Sequence, residues 1–557
     1  MSTIADALMA RSGDPRPGLR DAARTWTWDE VVHESAARAE LLRERRTDEP
    51  FHVGVLLDNV PEYVLWLGAA ALAGASVVGI NPTRRGSYLE QEVRHTACRL
   101  IVTDAAGAEL LEGLDVGVPA DCFVRVDEPS YAADIARRAA VVEPARDPAI
   151  EPSTRMLLLF TSGTTGASKA AICSQGRLVE LGEMAARKYD ITRDDVCYCP
   201  MPLFHGNALM MLWAPALLTG ACIALTPRFS ASRFLDEVRQ HGATYFTYVG
   251  KAIGYLLAQP ARDDDADNPL THGFGTEASP EDRAEFLRRF GAVLHEGYGS
   301  SEGGGLLRTA DDLPAGALGV PAREGVRIVD PETRATCAPA RFDEHGRVLN
   351  VDEAVGEIVD VDGAARFEGY WRNPEADAER VRHGWYWTGD LGYLDDAGFF
   401  YFAGRSGDWI RVDGENISAL HTERVLRRHP AVLAAAVFAV PDPRSGDQVM
   451  AALELAEGVS FGDLDLAAFL AGQDDLGTKG APRFVRVSHR LPTTGSNKLS
   501  RKEIQLAGWR LGDIGGDEIH WWRGRGEPAY APLRSADRDA LVAGFAAAGR
   551  LRFLPTT

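Results

Sequence analysis

Strand-length runs of apolar residues alternate with helical spacings over the first 250 residues, and this alternation constrains the fold more than any other feature of the chain. HVGVLLD (52–58) and SVVGI (76–80) are β-branched and apolar, while the segments from Pro61 and from Ser87 repeat apolar side chains at helical intervals. The same order returns at RLIVTD, at MLLLFTSG, at CIALT followed by SASRFLDEVRQHG, and at ATYFTYVG. Strands that are apolar on both faces must be covered on both, so the reading is α/β: doubly wound αβαβα sheets in a large N-terminal domain. Between Asp330 and Phe402 short strands with Gly/Asp turns predict a small β-barrel subdomain. After Gly404, HTERVLRRHP, AVLAAAVFAVPD and FGDLDLAAFLAGQ read as helix, strand and helix of a smaller α+β unit. The expected organisation is an N-terminal domain over 1–403, β-rich at about 320–403, a smaller C-terminal domain over 404–511 and an extension over 512–557, with the domain boundary near Gly404 to Asp408.

Composition narrows the function classes. The 557 residues carry 60 basic and 80 acidic side chains, a formal charge of -20, and no long Lys/Arg run, so a polyphosphate backbone would be repelled and nucleic acid is not an expected partner. Seven cysteines, at 98, 122, 173, 197, 199, 222 and 337, are sparse and odd in number, which reads as reduced thiols in a cytoplasmic protein. Cys197 and Cys199 lack a second ligand pair at zinc-like spacing and read as small strand residues on one face. Residues 1–20 show no apolar core of a secretory signal. The longest apolar stretch, Val64 to Ile80, falls short of the ~20 residues of a membrane span and is broken by Gly74 and Ser76, so it reads as a buried helix, a turn and a strand. Peripheral membrane contact and a homodimer stay open, and no internal repeat points to a solenoid.

The chemistry concentrates in LLLFTSGTTGASKAA (157–171), where an apolar strand enters a loop of hydroxyl and glycine residues that ends at Lys169. Glycines let successive backbone N–H groups converge on an anion, Ser and Thr hydroxyls donate further bonds, and a lysine adds a point charge. The pattern does not match the G-x-x-x-x-G-K-[ST] loop, and a plain Ser/Gly turn is the bland alternative.

With that loop in place, the chain resembles the adenylate-forming (AMP-binding) superfamily of acyl-CoA synthetases, peptide-synthetase adenylation domains and luciferases, in order over about residues 20–505. GYGSSEGG (297–304) resembles the segment whose aromatic residue packs on adenine and whose glutamate holds Mg2+, which implies Tyr298 and Glu302, with Gly299, Ser300 and Ser301 beside the nucleotide. WYWTGD (385–390) implies Asp390 on the ribose hydroxyls, and GRSGDWIRVDGENIS (404–418) implies Arg405 as a second ribose contact. The family's hinge position, usually Asp or Lys, matches Gly407, a variant that keeps rotation easy. LPTTGSNKLSRKE (491–503) resembles the loop of the catalytic lysine, Lys498. The resemblance further implies that Thr161, Ser162, Gly163, Thr164, Thr165, Gly166 and Lys169 hold the triphosphate, that Thr164 joins Glu302 at the metal, and that Gly275, Thr276 and Glu277 form a loop between adenine and substrate. His205, Gly206, Asn207, Gly275 and Gly297 fall at the acid-binding channel. His205 reads equally as a satisfied loop histidine, and Glu277 equally as a solvated charge.

Attack of a carboxylate on the α-phosphorus of ATP builds negative charge on phosphate oxygens, so this chemistry calls for cations and aligned donors more than for an acid or base. The implied reaction is adenylation of a fatty or other apolar acid, followed by thioesterification to CoA, with ATP, Mg2+ and CoA required. The R-x-G-D form with GENIS and T-G-x-x-K places the chain nearest the fatty-acid-transport and very-long-chain acyl-CoA synthetase branch. Two alternatives remain at this level: a natural-product enzyme that activates another anion or acceptor, such as a nitrite-using diazotase of an aryl amine or an amide ligase, and a non-catalytic sensor of acyl-nucleotides.

Overall fold

The computed structural model describes residues 2–46, 51–161, 169–276, 278, 280–308, 310, 313–314, 317–342, 348–405, 409–412, 415–443, 447–473, 476, 480–493, 499–509, 517–521, 530–547, 551 and 554. The chain divides into two compact units, one made of Met1–Gly305 with Gly363–Gly384 and the other of Leu306–Asp362 with Trp385–Thr557.

The first unit holds two largely parallel sheets. In one, the strands His52–Leu56, Ser76–Gly79 and Leu100–Thr103 are buried at every residue and pair in parallel, with Phe123–Arg125 at one edge and Arg155–Thr161 beyond the other side. Burial on both faces is why these runs carry no polar alternation. The helix Pro61–Ala73 is buried from Tyr63 onwards and stops at Gly74, whose φ of 69° is the left-handed turn glycine adopts at no steric cost. The long apolar stretch is thus a core helix leading into the strand Ser76–Gly79. Among the described residues no helix is long and apolar enough to cross a membrane. The second sheet runs in the order 293–296, 272–276, 245–249, 196–199, 222–225, 17–20, 25–27, parallel except for the last hairpin. Cys197 and Cys199 lie in it, both buried in the same apolar cluster, and all seven cysteines are free.

In the second unit six strands follow the order 307–308, 317–321, 400–405, 385–394, 356–360, 326–329, all antiparallel. A separate five-stranded sheet joins Val432–Pro441, Asp447–Leu455, Phe484–Ser488, Glu518–Trp521 and Ala531–Pro532. Its last two strands come from the segment expected to be an extension after 511. Ile519, Leu533 and Phe545 share an apolar cluster with Val440, Met450 and Phe484, so this segment is part of the sheet's core. Its two strands show no periodicity in the sequence, because each is only two to four residues long, whereas helical spacing is visible from Ser535, where the helix Ser535–Ala547 forms. The boundary expected near 404–408 falls inside the second unit, and residues 406–408, with Gly407, lie outside the described residues.

Candidate active site

The strand Arg155–Thr161 pairs antiparallel with Lys169–Ser174, with Thr161 opposite Lys169. The hydroxyl/glycine loop therefore joins the two strands of a β-hairpin, and no helix N-terminus follows it. Ser162, Gly163, Thr164, Thr165 and Gly166 themselves lie outside the described residues. Thr161 Oγ1 donates to the Lys169 carbonyl at 3.4 Å. Lys169 is only 6% exposed, and a buried ammonium needs partners. Its Nζ donates to Glu379 Oε2 at 2.8 Å and lies 5.6 Å from the centroid of the Tyr370 ring. The hydrogen bond and charge of Lys169 hold the Glu379 carboxyl below the usual carboxylate range.

Glu302 sits within a tight two-stranded turn in which Gly299 and Ser300 pair with Gly305 and Gly304. A Cβ on Gly299 would stand 2.5 Å from the Gly304 carbonyl oxygen, so only glycine permits the approach. Ser300 Oγ accepts from the Gly303 amide at 2.8 Å. Glu302 is 6% exposed, and its Oε1 accepts from the Tyr370 hydroxyl at 2.9 Å. Arg177 donates to the carbonyls of Ser301, at 3.2 Å, and Glu302, and through Nη1 to the Arg366 carbonyl at 2.7 Å. Ser174, which caps the helix Gln175–Lys188, gives its amide and hydroxyl to Glu368 at 2.7 and 2.5 Å. Three stretches distant in sequence, 169–177, 299–302 and 366–380, thus meet, and they bring Lys169 and Glu302 to one aromatic residue.

A Cβ on Gly206 would stand 2.9 Å from Ser301 Oγ, so the turn bearing His205 and Asn207 abuts the Glu302 turn. The His205 ring lies 4.5 Å from that of Phe204, and Asn207 Nδ2 donates to the Tyr248 carbonyl at 3.3 Å. A π-helical turn follows at Leu209–Trp213, a form that concentrates at functional sites. Gly297 donates its amide to the Gly275 carbonyl at 3.2 Å. Tyr248 donates to Glu296 Oε1 at 2.8 Å, and the same oxygen accepts from the Ala278 amide at 3.2 Å, which ties down the loop after Thr276. Among the described residues Thr276 Oγ1 and Asn207 Oδ1 are buried with no hydrogen-bond partner. Tyr298 is half-buried and Glu277 lies outside the described residues.

His295 sits one residue before Glu296, with Nε2 3.2 Å from His272 Nδ1. Burial, then the charges of His272, Lys188 and Arg283, push its pKa down to about 4. The unfolded chain, titrating near 6.5, binds the proton more readily, so this histidine makes stability fall as pH drops from about 6.5 to about 4. After screening by the water that reaches the partly exposed ring, about 1–2 kcal/mol is expected. Urea midpoints at pH 7 and 4.5 should differ less for His295→Gln than for the parent; equal differences would remove His295 as a cause.

In the second unit Asp390 and Arg405 face each other across an antiparallel pair. The Asp390 amide donates to Thr388 Oγ1 at 3.0 Å and the Gly389 amide to Glu357 Oε1 at 2.7 Å, which fixes the T-G-D turn. Lys498 lies outside the described residues. Sequence reasoning did not single out Arg177, Glu368, Tyr370, Glu379 or Arg380. One signal was available: Asn373-Pro374 is a helix start, and Asn373 Oδ1 does accept from the Ala376 amide at 3.1 Å at the head of Pro374–Arg380.

A large unit of two sheets, a separate five-stranded sheet in the second unit, and a buried lysine and glutamate joined through Tyr370 are the arrangement expected of an adenylate-forming ligase. The chain matches the family of AMP-binding enzymes over residues 9–371 and the C-terminal domain of AMP-binding enzymes over 421–498, and it belongs to this family. It is 61% identical over 553 residues, 99% of each chain, to the steroid-22-oyl-CoA synthetase of Rhodococcus jostii. It is 43% identical over 513 residues, 92% of this chain and 97% of the other, to the medium/long-chain-fatty-acid–CoA ligase FadD17 of Mycobacterium tuberculosis. Its fold matches ATP-bound MatB from Rhodopseudomonas palustris with a TM-score of 0.75 at 22% identity, over 90% of this chain and 98% of that one. The protein is an AMP-forming acid–CoA ligase that uses ATP, Mg2+ and CoA, and the alternatives of another anion or acceptor are not favoured.

Among the described residues no group of three His, Cys, Asp or Glu could cage a metal. Magnesium held through one carboxylate, waters and substrate phosphates needs no such cage, and the buried Glu302 carboxylate fits that donor set. When bound, the ion neutralises charge on the phosphate oxygens.

Proposed function

We propose that the acid is a steroid with its carboxyl at C22, carried on a short branched side chain. Identity of 61% across 99% of both chains with a steroid-22-oyl-CoA synthetase is the observation that supports this reading. A fused ring system is apolar and rigid, so it loses less conformational entropy on binding than a fatty chain of equal area. In CoA-ester formation under saturating ATP and CoA, a pregnane-20-carboxylate should give a kcat/KM at least tenfold above a C24 steroid acid and above palmitate. A preference for palmitate or for the longer side chain would overturn the assignment.

Within this reading Thr161, Ser162, Gly163, Thr164, Thr165, Gly166 and Lys169 bind the β- and γ-phosphates, and Glu302 with Thr164 holds the metal. Tyr298 stacks on adenine within the frame of Gly299, Ser300 and Ser301. Gly275, Thr276 and Glu277 separate adenine from acid, and Asp390 and Arg405 take the ribose. His205, Gly206, Asn207, Gly275 and Gly297 border the acid. The unpartnered hydroxyl of Thr276 and carbonyl of Asn207 support a polar group of the ligand at that border. Lys498 steadies the α-phosphate, and a C-terminal domain that begins near 404 and takes in the strands after 511 turns about Gly407 between the two half-reactions. Seven free cysteines support a cytoplasmic setting. Lys498→Ala should lower acid-dependent pyrophosphate release by about 100-fold or more, an effect of about 3 kcal/mol, with an unchanged melting temperature. A rate within threefold of the parent would remove Lys498 from this role.

A further inference from the structure

Lys169 and Glu302 are joined by a single side chain that uses two different chemistries. Tyr370 is 3% exposed; its hydroxyl donates to Glu302 Oε1 at 2.9 Å, and its ring face lies 5.6 Å from Lys169 Nζ. Arg380 Nε donates to the phenol oxygen at 3.1 Å. Because arginine only donates, the phenol must accept from Arg380 and give its one proton to Glu302. Backbone bonds set the position of the ring. The Ile172 amide donates to the Gly369 carbonyl at 3.0 Å and the Trp371 amide to the Ala170 carbonyl at 2.8 Å, so residues 369–371 are laced to the strand that begins at Lys169. The Tyr370 amide donates to Asp377 Oδ1 at 2.7 Å, which binds the same stretch to the helix carrying Arg380.

We propose that Tyr370 is a positioning residue that fixes Glu302 through Oε1, so that Oε2 is the oxygen presented to the magnesium–nucleotide complex, while its ring keeps the Lys169 ammonium beside the phosphates. The inference rests on the roles given above to Lys169 and Glu302. A carboxylate held at one oxygen by a directed donor loses rotational freedom before the metal arrives, and the metal complex then binds without that ordering cost. The aromatic face is a second hold on the ammonium beside its ion pair with Glu379, and unlike that carboxylate it does not compete with phosphate.

The test uses the full chain with Tyr370→Phe, Glu302→Gln and the double variant. Two readouts are taken: the Mg2+ dependence of adenylation, and calorimetric binding of α,β-methylene-ATP with and without Mg2+. Tyr370→Phe keeps the ring over Lys169, so the analogue alone should bind as in the parent. The half-saturating Mg2+ should rise about tenfold, and the gain in analogue affinity on adding Mg2+ should shrink by the same factor. In the Glu302→Gln background Tyr370→Phe should change neither readout further, because its hydroxyl acts through that carboxylate. An unshifted Mg2+ midpoint in Tyr370→Phe, or effects that multiply in the double variant, would overturn the proposal while leaving Glu302 in place. An unshifted midpoint in Glu302→Gln would instead overturn the metal role beneath it. If Tyr370→Phe does not accumulate folded, Arg380→Gln carries the test: a rise of about threefold is expected, and no rise overturns the proposal.

Discussion

Lys169→Met is expected to lower kcat/KM for ATP by about 100- to 1000-fold while leaving the melting temperature close to that of the parent. Lys169 is 6% exposed, and methionine of similar length fills its space with an apolar side chain that suits burial better. Its partner Glu379 is 57% exposed, so the carboxylate left behind returns to water and no buried charge is stranded. What is lost is a cation next to developing phosphate charge, where surrounding protein makes each interaction stronger than in water. Glu379→Gln is the complementary control. It removes the carboxylate that competes with phosphate for the lysine and should lower the KM for ATP two- to fivefold. Steady-state kinetics with urea melts of both variants decide the matter; a strongly destabilised Lys169→Met with ordinary activity per folded molecule would make Lys169 a structural ion-pair residue.

Gly275→Ala is expected to destabilise the protein by about 3 kcal/mol and to weaken nucleotide binding together with folding. A Cβ at this position would stand 2.4 Å from Tyr248 Cδ2 and 2.5 Å from the Tyr248 carbonyl oxygen. The ring could yield only by disturbing its hydroxyl bonds to Glu296 and to the His295 carbonyl, and the Tyr248 carbonyl belongs to a strand paired in register with Gly275. Relief of the clash therefore passes to Glu296, which also holds the Ala278 amide. Urea unfolding checks the stability loss, and fluorescence titration with ATP checks the coupling. A fully stable Gly275→Ala would mean that the close approach of Tyr248 is not required.

The hydroxyl/glycine run ending at Lys169 is local: residue types that suit an anion-binding loop stand side by side in the sequence, and the buried strand before it is visible as LLLF. The helix Pro61–Ala73, its stop at Gly74 and the wholly buried strands were legible for the same reason, since apolar periodicity and glycine act over a few residues. The strands Glu518–Trp521 and Ala531–Pro532 were not, because short strands are specified by partners in a distant sheet.

Local spacing was enough to read the alternation of strands and helices, and the motifs that run from Thr161 to Lys498 carried the resemblance to the family. Which side chains complete that site came only from folding. Tyr370 lies 68 positions from Glu302, and Glu379 lies 210 positions from Lys169. A tyrosine ahead of a short helix, or a glutamate near its end, carries no mark of these contacts, since hydrogen bonds and ion pairs act over about 3 Å in space, and only the pairing of separate strands and helices closes those distances.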